Sequence, residues 1–128
     1  MASELRVDTL KDSSGNNSVG MAYVAGGSAK ARIRYSQDTS TNVDSDNVSS
    51  YTDSAVGKSI VAFTSGMNNA TYNAITDGTD TDIGNAYVQT HSEAFTSSQF
   101  QVSTGVYSTG AVTTDFVLGQ AVVFGDLA

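Results

Sequence analysis

Clusters of Gly, Asn, Asp and Ser interrupt this chain about every ten residues, and the segments between them tend to alternate apolar with polar side chains. Spacing that short leaves no room for long helices, and no window sustains a 3.6-residue apolar period. Ser, Thr, Val, Tyr and Phe are abundant, and β-branched and aromatic residues suit a pleated, half-buried surface. The pattern predicts an all-β fold: an antiparallel, jelly-roll-like β-sandwich preceded by an N-terminal arm strand. A chain of 128 residues fits one domain and buries roughly two thirds of its unfolded surface, enough for a core without staples.

The expected strands are Leu5–Leu10, Val19–Val24, Ala31–Tyr35, Val48–Thr52, Ser59–Thr64, Thr71–Thr76, Ala86–His91, Gln99–Ser103 and Asp115–Phe124. Ser59–Thr64 is the most apolar and reads as central, while Gly119 in the last reads as a bulge or turn. Pro is absent, so none of the sheet edges is blunted by it.

The first dozen residues, MASELRVDTLKD, stand apart. One short strand sets Leu5, Val7 and Thr9 against Arg6 and Asp8, ends near Leu10, and is cut off by SSGNNS. A lone strand of this length cannot bury enough apolar surface to be stable by itself. It therefore calls for a partner in its own chain, a sister subunit or a larger assembly. Residues 1–18 are read as an anchoring arm, with Leu5, Arg6, Val7, Thr9 and Leu10 as the partner-binding residues, and 19–128 as a single sandwich domain.

Charge narrows the partners. The formal net charge is −7, and all six cations lie in the first 58 positions. Nucleic-acid binding relies on neutralising phosphates, so such a chain is a poor candidate for it. No apolar run approaches the ~20 residues that span a bilayer, and the N-terminus lacks the hydrophobic stretch of a signal peptide. The distribution suggests that the near-neutral N-terminal part faces a partner and the acidic part faces water.

Motifs that could carry chemistry are few. Without Cys there is no disulfide, thiolate site or Cys nucleophile. Gly57-Lys58-Ser59 imitates a phosphate loop, but Thr52 stands where the first Gly belongs and a β-like run follows, so Gly57 reads as a hairpin turn. Asp44-Ser45-Asp46-Asn47 and the run from Asp77 to Asp82 offer alternating oxygen ligands. Neither completes a calcium loop, and both read as turn chemistry; Asp77, Asp80 and Asp82 are the better of two weak cation candidates. His91 is the only histidine, and no nucleophile elbow accompanies it. No cofactor and no catalytic residue is expected, and the chain does not read as an enzyme. Aromatic faces can stack on sugars, which leaves a glycan-binding face at Tyr23, Tyr51 or Tyr107 open.

Three segments, in order, carry a resemblance. MASELRVDTLKDSSGNNS resembles the N-terminus of small tail-fibre-like structural proteins of marine bacteriophages and cyanophages. DSDNVSSYTDSAVGKSIVAFTSGMNNATYNAI is similar to their body pattern, and AVVFGD to their last strand. The chain departs where that family often has Trp-containing sequence, here AKARIRYSQ, and where it has a Pro near Met67, here Asn68. The resemblance implies a virion appendage, commonly a homotrimer. The expected function is that of a bacteriophage structural protein: a capsid decoration (cement) protein anchored by its arm, contacting the major capsid protein or tail proteins. The alternative is a tail-fibre or tail-tip module that binds a host glycan. The expected location is the virion, assembled in the cytoplasm of the bacterial host.

Overall fold

The period-two pattern of the sequence becomes two antiparallel sheets packed face to face. The computed structural model describes residues 6–15, 18–79, 87–107 and 111–128. A hairpin of β1 (Thr9–Lys11) and β2 (Ser18–Gly20) leads into a short helix, α1 (Met21–Gly27). The body follows: β3 (Ala31–Ser36), β4 (Thr41–Asp46), β5 (Val48–Ala55), β6 (Lys58–Phe63), β7 (Asn73–Thr79), β8 (Tyr87–Glu93), β9 (Gln99–Tyr107), β10 (Ala111–Thr113) and β11 (Leu118–Phe124). One sheet runs β4–β3–β11–β7. In the other, β6 carries β5 on one side and β9 on the other, and β8 pairs with β9. Along β9, β6 covers Gln99–Ser103 and β10 covers Gly105–Tyr107.

Alternation decides what is buried. Ile33 and Tyr35 of β3, with Ala121 and Val123 of β11, face Val61, Phe63, Phe100 and Val102 of the second sheet. Each large apolar side chain buried there is worth ~1.5–3 kcal/mol before ordering costs. Met67 and Tyr72 plug one end, where Phe95, Phe63 and Phe100 ring Tyr72 at centroid distances of 5.0–6.4 Å.

The two sheets meet along both sides by different means. On one side a single residue, Asn47, turns β4 into β5 with a φ of +53°. Its side-chain amide donates to the carbonyls of Lys30 (2.9 Å) and Ser65 (3.0 Å) and accepts from the Ser65 N–H (2.7 Å). On the other side, hydroxyls stand in for a backbone ladder: Thr90 donates to the Thr76 carbonyl and Ser92 to that of Ala74, both at 2.9 Å.

Several expectations change. Of the strand expected over Val19–Val24 only Val19 and Gly20 are extended, in β2; from Met21 the chain forms the seven-residue helix, where Met21, Ala22 and Ala25 are good helix formers, and it ends at Gly26-Gly27. Thr41–Asp46 and Ala111–Thr113 are strands that the sequence did not announce, the first a polar edge that is mostly exposed. The strand beginning at Val48 runs on to Ala55, and the one expected over Thr71–Thr76 lies at Asn73–Thr79. Gly119 is neither bulge nor turn. It lies within β11, opposite Gly78 and Tyr35, and the Tyr35 ring lies against it. Phe116 covers Gly78 in the same way.

Tyr35 is fully buried, and its hydroxyl is the one buried side-chain polar atom among the described residues that lacks a partner. Burial pushes its phenol well above the usual range. An unpaired buried hydroxyl carries its desolvation cost uncompensated. Tyr35→Phe should therefore leave stability unchanged or raise it by up to about 1 kcal/mol in urea titration. A clear loss would show that the hydroxyl is bonded after all.

Candidate docking site

The arm is the part of the chain that the core does not claim. Among the described residues, Ala31 is the first to enter the core. Lys30 N–H bonds to the Val123 carbonyl (2.8 Å), and Ala128 N–H to that of Gly66 (3.0 Å), so the arm leaves the body at the end where the C-terminus lies. The opposite end gathers the turns at Gln37–Ser40 and Val56–Gly57 and the strap Thr114–Val117.

The arm's first partner is the next segment of its own chain. Thr9, Leu10 and Lys11 pair with Gly20, Val19 and Ser18. All three residues of β1 are exposed. Of the expected docking residues, Arg6 and Val7 lie before β1 and outside any strand, Thr9 and Leu10 lie in it, and Leu5 falls outside the described residues. Leu10, 44% exposed, and Val19, 39% exposed, stand directly opposite each other and line an open groove with Lys11, Asp12 and Ser18. Among the described residues, five of the nine exposed large hydrophobics lie in this region: Val7, Leu10, Val19, Tyr23 and Val24. Sequence reading placed a strand beginning at Val19 but not its antiparallel pairing with the arm.

The other candidates disperse. Ser59 of the GKS triplet is fully buried under the Tyr51 hydroxyl (2.8 Å), while Gly57 makes the hairpin turn at φ +67°. Asp44 and Asp46 are strand residues rather than turn residues, each 2.6 Å from the Arg32 guanidinium. The hydrogen bond from Arg32 holds the Asp44 carboxyl below its ordinary range. Asp77 lies in β7, not in a turn; Asp80 and Asp82 fall outside the described residues. Among the described residues no group of three His, Cys, Asp or Glu side chains could hold a metal.

His91 projects on the outer face, its Nε2 3.6 Å from Glu93 Oε2. Glu93 accepts from the Ser103 hydroxyl and the Gln101 amide (2.7 Å) and sits 3.7 Å from Lys58 Nζ. Those hydrogen bonds, Ser103's first, hold its carboxyl below the usual range. The Ser103 hydroxyl thus serves a carboxylate and not the imidazole, so this cluster ties β8, β9 and β6 together without a nucleophile–base pair. Tyr51 turns inward and stacks on Tyr35 at 5.0 Å, Tyr23 is 80% exposed, and the Tyr107 side chain lies outside what is described. Among the described residues no helix is long and apolar enough to cross a membrane. No protein-family model, curated protein or solved structure matches the chain.

Proposed function

We propose that this chain is a bacteriophage virion structural protein, a capsid decoration (cement) protein that its N-terminal arm fixes to the particle. The observation that carries the reading is an exposed, near-neutral hairpin bearing Leu10 and Val19 ahead of a core that begins at Ala31. It leaves the body opposite the turns that would then be displayed. Extended segments dock by adding backbone hydrogen bonds to a neighbouring sheet. A weak contact of this kind gains strength when repeated over a symmetric shell. The resemblance of three segments to phage appendage proteins supports the same reading. The partners would be the major capsid protein or tail proteins, and the location the virion. Tyr23 keeps the alternative alive: a tail-fibre or tail-tip module whose exposed aromatic meets a host glycan.

Deleting residues 1–20 should leave a body that melts within a few degrees of the full chain, because none of those residues described here belongs to the core. The same deletion should abolish co-sedimentation with particles, and electron microscopy should place the full chain on the head. Truncated protein that still decorates particles would end the anchoring idea. Label on the tail would favour the alternative.

A further inference from the structure

The outer face of the β4–β3–β11–β7 sheet carries a row of planar polar groups that the fold does not use. The strand registers set Asp44, Arg34, Gln120 and Asp77 side by side, one from each strand. At ~4.8 Å per strand spacing the row crosses about 14 Å of sheet. Arg34, Gln120 and Asp77 are exposed. Arg32 takes both Asp44 and Asp46, and among the described residues no hydrogen bond or ion pair engages the Arg34 guanidinium or the Gln120 amide. Asp77 accepts the Gly78 N–H (2.8 Å) on one carboxylate oxygen and keeps the other open. A depression lies on each side of Gln120. One, of about 260 Å³, is bounded by Arg32, Arg34, Asp44 and Val122. The other, of about 110 Å³, is bounded by Asp77, Thr79 and Leu118. Val122 and Ile75 stand opposite each other along one flank of the row, and Leu118 borders the other.

We propose that this row binds a neutral oligosaccharide, laid across the strands with a ring in each depression and Gln120 between them. The donors and acceptors select the ligand. Arg34 only donates, the Asp77 carboxylate only accepts, and Gln120 does both. A hydroxyl both donates and accepts, so a polyol satisfies all three at once. A carboxylate, sulfate or phosphate only accepts; it would suit Arg34 but meet Asp44 and Asp77 as like charges. An ammonium only donates and would face Arg34. Arg32 and Arg34 against Asp44, Asp46 and Asp77 leave the face negative, in a chain of net charge −7, so no field draws an anion in. A peptide has amide donors and acceptors, but an extended peptide docks by adding to a free strand edge. Here β3 and β11 are laddered on both sides. Val122, Ile75 and Leu118 lie where the C–H surfaces of the sugar rings would rest.

The site lies on the body and is independent of both the arm and the particle reading. Both depressions are open, so affinity should be weak, with a Kd on the order of 1 mM. The probes are uncharged trisaccharides (maltotriose, cellotriose, mannotriose and triacetylchitotriose) titrated into the full chain labelled with nitrogen-15. At least one should shift the amides of Arg34, Asp77 and Gln120 saturably. Arg34→Ala should weaken that trisaccharide about tenfold or more, and Gln120→Ala severalfold, with unchanged melting curves. No saturable shift with any of the trisaccharides, or binding that Arg34→Ala leaves intact, would overturn the proposal. So would shifts centred on Tyr23, which assign the sugar to the arm, or a preference for the acidic sialyllactose. None of these outcomes bears on whether the arm holds the chain to a particle, and loss of particle binding by the truncated chain says nothing about this site.

Discussion

Gly119→Ala should be among the most damaging single-methyl additions to this protein. A Cβ at that position would lie 2.5 Å from Tyr35 Oη and closer still to the ring carbons Cζ and Cε2. The ring has little freedom to retreat: it is fully buried and stacked on Tyr51 at 5.0 Å. Overpacking a dense core costs about 1–3 kcal/mol, and more where the neighbour is pinned. We expect a loss of about 3 kcal/mol or more, equivalent to roughly 10–15 °C in melting temperature for a domain of this size. Because the blocking atoms are mainly ring carbons, Tyr35→Phe should not rescue it, while Tyr35→Val should in part. Additive double mutants would contradict this account, since contacting residues should show coupling.

Replacing Gln37 by Leu should cost nearly as much, though it adds no bulk. Gln37 is 1% exposed and bridges three segments. Its Nε2 donates to Ser59 Oγ (3.0 Å), and its Oε1 accepts from the Phe116 N–H (2.8 Å) and lies 2.9 Å from the Thr104 hydroxyl. The bond to Phe116 holds the strap between β10 and β11 over the end of the core. Nearby, Asp115 accepts the Gly57 N–H (2.6 Å). A leucine would match the shape and strand the Phe116 N–H, a buried donor worth about 1–3 kcal/mol when unpaired. With the disturbed hydroxyls the total should reach about 2–4 kcal/mol by denaturant titration at unchanged m-value. Hydrogen exchange should quicken at the Phe116 amide first. A variant within about 1 kcal/mol of wild type, with that amide still protected, would mean that the network is ornamental.

The fold class was legible because the alternation at Ile33 and Tyr35 and through Ser59–Phe63 admits one reading: a two-sided strand with one wet face. Gly57 was legible as a turn for the same local reason. What escaped depended on contacts distant in sequence. Thr41–Asp46 carries almost no apolar signal, and its place in the sheet is fixed by β3 and by Arg32 gripping Asp44 and Asp46. Gly119 looks like an interruption until Tyr35, more than eighty positions earlier, is seen filling its slot. Gln37 bears no mark of burial in QDTST. At the arm, sequence alone gave an exposed strand but set it too early: of the expected Leu5–Leu10 only Thr9 and Leu10 lie in β1. It could not give the pairing of that strand with Ser18–Gly20.

The attachment of the arm has a mechanical consequence. A tether to the N-terminus passes its load to β3 at Ala31, and β3 is an interior strand, laddered on one side to β4 and on the other to β11. Drag on the far end of the body pulls along β3, not across it. The two ladders are thus loaded in shear, with their hydrogen bonds sharing the force, instead of opening one after another as a peeled edge strand would. Were the arm anchored as proposed, drag through it should free the arm from its partner before it unravels the body.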